Sequence, residues 1–514
     1  MIRLRKFGII FLAGLALTLP RQAGAISFYG DGQSQASAHN ANEQDSFPAL
    51  LVSDIHFDPF LDPAKARQLV SAPLSQWNAI LSAPPSADQG QAVAELQQRC
   101  SGRGQDASYT LLQSSLQAMR TQAADAKFIT VSGDLIAHSF FCKYTALVPG
   151  SKSGDYQAFV LNTLNFVLGE LRSAFPGRPI YVALGNNDTA CDDYRLDAGS
   201  DFLDEAGRII ALSLPASEQQ AARRMFAQGG YYSSAMGTVM PGTRLIVIND
   251  LFLSPKYSTC AGKANATAGA EELAWLRNEL SQLRKSGQKA WVMGHIPPGA
   301  DPYSTAAKFK DICAKDAPEM FLASDDLADL LIEYADVIRL GIFAHSHMDE
   351  MRLLQPQNGD RETSDQHSVA VKILPSISPV DGNDPSFTIA RIDPAAALLQ
   401  DYEVIAASNL TGIAAAWSRE YDYAQVYHQT QFSPAALKEL ISTFENDSSA
   451  KTAASQEYLR DYFVGDRSAE LKPLWRPYVC TLANHTARAF AACVCSAGSD
   501  RLRSRVADSG DNGP

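Results

Sequence analysis

The chain has 514 residues, with 46% hydrophobic and 19% charged; this is longer than one compact core usually occupies, and the balance excludes a disordered chain. Its formal net charge is -12. An acidic chain has no long-range attraction for polyanions, so nucleic acid is not an expected partner unless a metal inverts the local field.

The first element reads as a leader. Arg3, Arg5 and Lys6 precede an apolar run from Phe7 to Leu19, and Ala23-Gly24-Ala25 offers the small residues that a signal peptidase reads. The run is shorter than the roughly 20 residues of a membrane span. Residues 1–25 are therefore expected to be a cleaved signal peptide rather than an anchor. The mature chain is expected to be secreted or periplasmic, without a transmembrane segment. All eight cysteines lie beyond the cleavage point. An even count in an exported chain predicts disulfides, with the pairing left open. A zinc–thiolate site is the weaker reading, because only Cys493 and Cys495 lie close together.

Residues 26–46, rich in Ser, Gln, Ala, Asn and Gly, form a flexible lead-in. From Phe47 onward short apolar runs alternate with helix-like stretches. The runs are Ala49–Ser53, Phe128–Ser132, Ile180–Leu184, Leu245–Ile248, Ala290–Met293, Val337–Phe343, Val369–Leu374 and Phe387–Ile392, each short enough for a buried strand. Tyr156–Arg172 and Ala270–Lys285 read as helices. The alternation predicts an α/β catalytic domain over 47–400, a layered β-sandwich core flanked by helices. From about Asp401 no further strand is evident, while Pro434–Phe444 and Ala453–Phe463 look helical. A small helical subdomain is expected over 401–500, with a polar tail over 501–514.

Several strands end in the same kind of polar cluster. These are Asp54-Ile55-His56, Gly133-Asp134, Gly185-Asn186-Asn187-Asp188, Gly294-His295 and His345-Ser346-His347. Ligands of open α/β sheets bind beyond the carboxyl ends of strands, so these clusters can converge on one site. Asp, His and Asn donors suit zinc, manganese or iron. Of nine histidines in the chain, four stand at these strand ends, too regular a placement for scattered packing residues.

In order and composition these blocks resemble the calcineurin-like metallophosphoesterases, whose pattern is D-x-H, G-D, G-N-H-D/E, G-H and G-H-x-H. Three further stretches are similar to the acid sphingomyelinase-like branch: Gly133-Asp134-Leu135-Ile136-Ala137-His138, Gly294-His295-Ile296-Pro297-Pro298-Gly299, and Pro375-Ser376-Ile377-Ser378-Pro379 followed by Asn383, Pro385 and Phe387. Segment 26–46 is too short for the saposin module of the sphingomyelinase itself, which leaves sphingomyelin in doubt as the substrate.

The resemblance implies that Asp54, His56 and His347 hold one divalent ion, that Asn186, His295 and His345 hold a second, and that Asp134 bridges them. Zinc is the first choice, with manganese or iron as alternatives. Such a pair clamps an in-line displacement and activates a shared water as hydroxide. The expected substrate is a small phosphodiester or phosphoanhydride, with a nucleotide or a lipid headgroup as candidates.

Two departures bear on the chemistry. Asn187 stands where the family has the histidine that protonates the leaving group, and an amide does not titrate. A similar G-N-N-D run occurs in endopolyphosphatase-like relatives, which release good leaving groups. His138 is the substitute general acid, with a packed or supporting histidine as the equal alternative. Ala344 replaces the glycine before His345, a small structural change. Asp188 either orients a neighbour or ends a turn. Gly229-Gly230-Tyr231-Tyr232 reads as a turn into a strand, and His367, His428 and His485 as structural. Asn265, Asn409 and Asn484 begin glycan-acceptor triplets. The rival functions are a phosphomonoesterase on the same site and a metal-bound, catalytically weak binding protein.

Overall fold

The computed structural model describes residues 46–102, 104–306, 312–313, 317–357 and 367–496. The expected signal peptide, nearly all of the lead-in and the polar tail lie outside the described residues.

Twelve strands are found among the described residues: β1 Phe47–Val52, β2 Ile129–Ser132, β3 Ile180–Ala183, β4 Tyr232–Ala235, β5 Thr243–Val247, β6 Lys289–Met293, β7 Ile338–Phe343, β8 Glu350–Leu354, β9 Val369–Ile373, β10 Ser386–Asp393, β11 Leu398–Ala407 and β12 Trp417–Asp422. They form two six-stranded sheets, ordered β12-β11-β10-β1-β2-β3 and β4-β5-β6-β7-β9-β8. Within the first, β1, β2 and β3 run parallel; within the second, so do β5, β6, β7 and β9. Parallel neighbours need long crossovers, and helices such as Ser153–Ala174 and Ala266–Ser286 supply them.

The parallel strands read as continuous apolar runs because both of their faces are covered. Every residue of β2 and β3 is buried. Between the sheets Phe128 meets Trp291 of β6 at 5.9 Å between ring centroids. Tyr232 of β4 accepts from the Val182 amide at 2.8 Å and donates to the Val182 carbonyl at 3.2 Å, joining β4 of one sheet to β3 of the other. A buried tyrosine is stable there because its hydroxyl is satisfied.

All eight expected strands are present, β4 follows the turn read at Gly229-Gly230-Tyr231-Tyr232, and three more, β8, β11 and β12, were not evident in the sequence. β11 crosses Asp401 and β12 follows it, so the sheet extends into the stretch expected to be helical only. β12, Trp-Ser-Arg-Glu-Tyr-Asp, is a polar edge strand without a usable apolar alternation. β8 carries Glu350 and Arg352, yet all five of its residues are buried. The Arg352 guanidinium donates to the carbonyls of Pro298 at 2.8 Å and Ala300 at 3.2 Å, and to Glu350 at 3.3 Å. Buried charge persists where it is paired in this way. Beyond β12 the helices Pro434–Asn446, Ala453–Asp461 and Trp475–Thr481 pack through aromatic contacts such as Phe444 with Tyr458 and Trp475.

The eight cysteines pair as Cys100–Cys142, Cys191–Cys260, Cys313–Cys495 and Cys480–Cys493. No described helix is long and apolar enough to cross a membrane.

Candidate metal centre

The loops after β1, β2, β3, β6 and β7 meet at one edge of the two sheets. Main-chain bonds lace them together: Asp54 N to Gly133 O at 3.1 Å, His56 N to Asp134 O at 2.9 Å, and Ala344 N to His295 O at 2.8 Å. Asp54, His56, Asp134, His345 and His347 all take positive φ, between 44° and 72°. A non-glycine residue held there costs about 1–3 kcal/mol and persists where the surroundings fix it. Five such residues in one cluster mark a place where the direction of the side chains overrides backbone preference.

Glycines clear the space between these loops. A Cβ on Gly185 would collide with the Asp134 carboxylate, and one on Gly133 would lie 2.7 Å from His295 Nδ1. Gly185→Ala is therefore expected to displace Asp134 and lower both bound metal and turnover by about tenfold or more, since such sites tolerate misplacement poorly. Metal analysis of the purified variant checks this; wild-type metal content would show that the loop can yield.

The side chains form two adjoining groups. In the first, His56 Nε2 lies 3.1 Å from His347 Nε2, 3.7 Å from Asp54 Oδ1 and 3.4 Å from Asp134 Oδ2. In the second, His295 Nε2 lies 3.2 Å from Asp134 Oδ2, 3.1 Å from Asn186 Oδ1 and 3.2 Å from His345 Nδ1. Asp134 belongs to both, and donor atoms of Asp54, His56 and Asp134, like those of Asp134, His295 and His345, lie within 4.8 Å of one another. His56 Nδ1 donates to Ile136 O at 3.0 Å and His295 Nδ1 to Ser132 O at 2.8 Å. That fixes the tautomers and leaves both Nε2 lone pairs facing inward.

This donor set fits divalent cations. Asp54 Oδ1 is buried without a hydrogen-bond partner, and an orphaned carboxylate oxygen among converging imidazole nitrogens is what a cation would satisfy. Electrostatics agree. Burial pushes Asp54 up, but His347, His56 and His295 outweigh it and bring the carboxyl down to about 2. Burial likewise opposes charge on His56 and His295, yet Asp134 above all raises them to about 9 and about 10. The carboxylates that draw protons to these rings draw metal cations by the same attraction. His345 is instead depressed to about 3, by burial and by the neighbouring His295.

The three residues expected in catalysis are placed differently from one another. Asn187 gives its main-chain amide to Asp134 Oδ1 at 2.8 Å and its side-chain amide to Asp134 Oδ2 at 2.9 Å. Asp188 is buried and accepts from the amides of Leu135, Ile136 and Gly185, all three of them main-chain groups. His138 keeps a 40% exposed side chain and stacks on His56 with centroids 4.0 Å apart. Its Nδ1 lies 2.9 Å from Asp106 Oδ1, while its main-chain amide donates to Asp106 Oδ2 at 2.9 Å. Nε2 is thereby the ring nitrogen left for other partners.

Several residues around the centre were not legible in advance. Asp106, in a loop with no motif, is buried and holds His138. Asp193 Oδ1 accepts from Asn186 Nδ2 at 2.8 Å, which turns the Asn186 carbonyl toward His295. Burial raises the Asp193 carboxyl to about 6. Tyr194 O–H lies 3.3 Å from His345 Nε2. Asp250 accepts from the His295 amide at 2.8 Å. The acidic-aromatic run Asp192-Asp193-Tyr194 beside Cys191 was the available signal for two of these. His428 caps a helix and His485 is buried, with Nε2 3.6 Å from Asp329 Oδ1. Gly230 turns the chain into β4 at φ 80°.

A cleft of ≈ 150 Å³ opens on His345 and is lined by Tyr303, Phe321, Tyr462, Phe463 and Tyr478, with the carboxylates Asp301 and Asp381.

A family model described as calcineurin-like phosphoesterase matches residues 47–349. The chain is 25% identical over 403 residues to the cyclic GMP-AMP phosphodiesterase SMPDL3A of Mus musculus, covering 76% of this chain and 82% of that protein. It is 24% identical over 344 residues to sphingomyelinase phosphodiesterase C of Dictyostelium discoideum, covering 65% and 70%. To the acid sphingomyelinase-like phosphodiesterase 3b of Homo sapiens it is 23% identical over 408 residues, covering 76% and 81%.

Proposed function

The chain belongs to the calcineurin-like phosphoesterase family, and from that premise we propose that it is an exported two-metal hydrolase of phosphodiester or phosphoanhydride bonds. The observation that carries the reading is the double grouping around Asp134, which lies 3.4 Å from His56 and 3.2 Å from His295. Asp54, His56 and His347 would hold one divalent cation; Asn186, His295 and His345 would hold the other, with Asp134 common to both. Zinc leads, with manganese or iron as alternatives for the same donors. When bound, such ions activate water and neutralise charge on a phosphoryl group.

The chain's own residues do the rest. Asn187 and Asp188 are positioning residues: the first clamps Asp134, the second ties the loops after β2 and β3. His138 donates the proton to the leaving oxygen from Nε2, with Asp106 orienting the ring through Nδ1. The aromatic cleft takes the organic part of the substrate; the names of the relatives point to a nucleotide or a lipid headgroup. Four disulfides and the leader-like start support export, secreted or periplasmic.

Matched assays on bis(4-nitrophenyl) phosphate and 4-nitrophenyl phosphate test the reaction class. A higher kcat/KM on the diester is expected; a monoester preference would replace this reading with a phosphomonoesterase. Asn187→His restores a titrating group at the position of the family's donor. It is expected to raise kcat by about tenfold on alkyl diesters, whose leaving groups need a proton, and far less on nitrophenyl esters. No change on either class would show that protonation beyond what His138 supplies does not limit turnover.

A further inference from the structure

Among the described residues, Lys256 stands near this centre without an acidic ion-pair partner. Lys256 follows the short turn Asp250–Leu253 that leaves β5, and its side chain is exposed. Its Nζ sits 5.1 Å from the centroid of the Tyr194 ring, whose hydroxyl is 3.3 Å from His345. Among the described residues no carboxylate forms an ion pair with it.

The position of Lys256 is also held. Ser258 N donates to Tyr194 O at 3.1 Å and Leu196 N to Ser258 O at 3.2 Å, and Cys191–Cys260 closes the same pair of segments. An exposed ammonium over the ring of Tyr194, whose hydroxyl reaches a proposed metal-ligand histidine in a chain of net charge -12, is suited to a further anion on the substrate.

We propose that Lys256 is a specificity-determining residue that binds a second phosphate attached to the scissile one, making phosphoanhydrides substrates of this centre. The inference rests on the two-metal reading above. In the reaction a water oxygen forms the new P–O bond and the bridging P–O bond breaks. The electron pair leaves with the departing phosphate, and the proton lost by water passes to solvent. A departing phosphate needs little protonation, which accords with Asn187 in place of a titrating side chain. Lys256 offsets the charge that the departing group gains.

The test is kcat/KM for adenosine triphosphate and for bis(4-nitrophenyl) phosphate, measured on the full chain and on Lys256→Gln and Lys256→Arg. The ratio of triphosphate to diester is expected to fall about tenfold in Lys256→Gln, the size of one charge-assisted hydrogen bond, and to recover in Lys256→Arg. A ratio unaltered by Lys256→Gln overturns the proposal. Wild-type protein that cleaves the diester but not the triphosphate also overturns it and leaves the two-metal reading standing. Wild-type protein that cleaves neither overturns both.

Discussion

Asp134→Asn is expected to lower kcat/KM on a phosphodiester by about a thousandfold while the chain still folds. Asp134 is the one side chain common to both donor groups, and it is held well below the usual carboxylate range, against burial, by His295 and His56. Both of its oxygens are committed, since the Asn187 main chain and side chain donate to them at 2.8 and 2.9 Å. Asparagine keeps the shape but removes the charge that both imidazole groups face, and it presents an amide where an acceptor is needed. Loss of one partner from a buried charge network costs about 3–5 kcal/mol, or roughly 10²- to 10⁴-fold in rate if the whole effect falls on the transition state. Bound metal should fall with activity. A variant that keeps wild-type metal content and turns over within tenfold of wild type would show that Asp134 does not bridge.

His138→Gln should cost about 10²- to 10³-fold on substrates with poor leaving groups, the range of general acid catalysis, and much less on nitrophenyl esters. Metal content should stay at the wild-type level, because the proposed ligands remain. The side chain is 40% exposed, so its replacement should not unfold the chain. The leaving-group dependence is the decisive readout, since a merely supporting histidine would slow all esters alike. Asp106→Asn should reproduce that dependence at a smaller size. Asp106 fixes His138 through Nδ1 and is itself gripped by Ser378 at 2.9 Å. An equal loss on every ester would assign both residues to structure.

The side chains that converge at this edge of the two sheets were legible in the sequence because they follow buried strands directly. Val52 ends β1 two residues before Asp54, and Phe343 ends β7 two residues before His345. A short apolar run followed by a polar cluster is a local signal, and the parallel topology carries every such cluster to one edge. Asp106, Asp193 and Lys256 offer no such signal. Each acts through a contact made by folding: Asp106 with a histidine 32 positions on, Lys256 with a ring placed by the Cys191–Cys260 bridge. Of the strands missed, β8 carries charge that tertiary pairing satisfies, as the Arg352 contacts show, and β12 lies at an edge where polar residues are tolerated. The role of Asp188 was ambiguous for a related reason: a carboxylate beside a glycine-rich turn can serve main-chain amides as readily as a proton.

The most direct test of a two-metal centre is metal content measured by plasma emission on the purified chain, with activity followed as a chelated sample is titrated with zinc, manganese or iron. About two cations per chain, with full activity reached only near the second equivalent, is the expected result. Full activity at one equivalent, or turnover that survives complete metal removal, would contradict it.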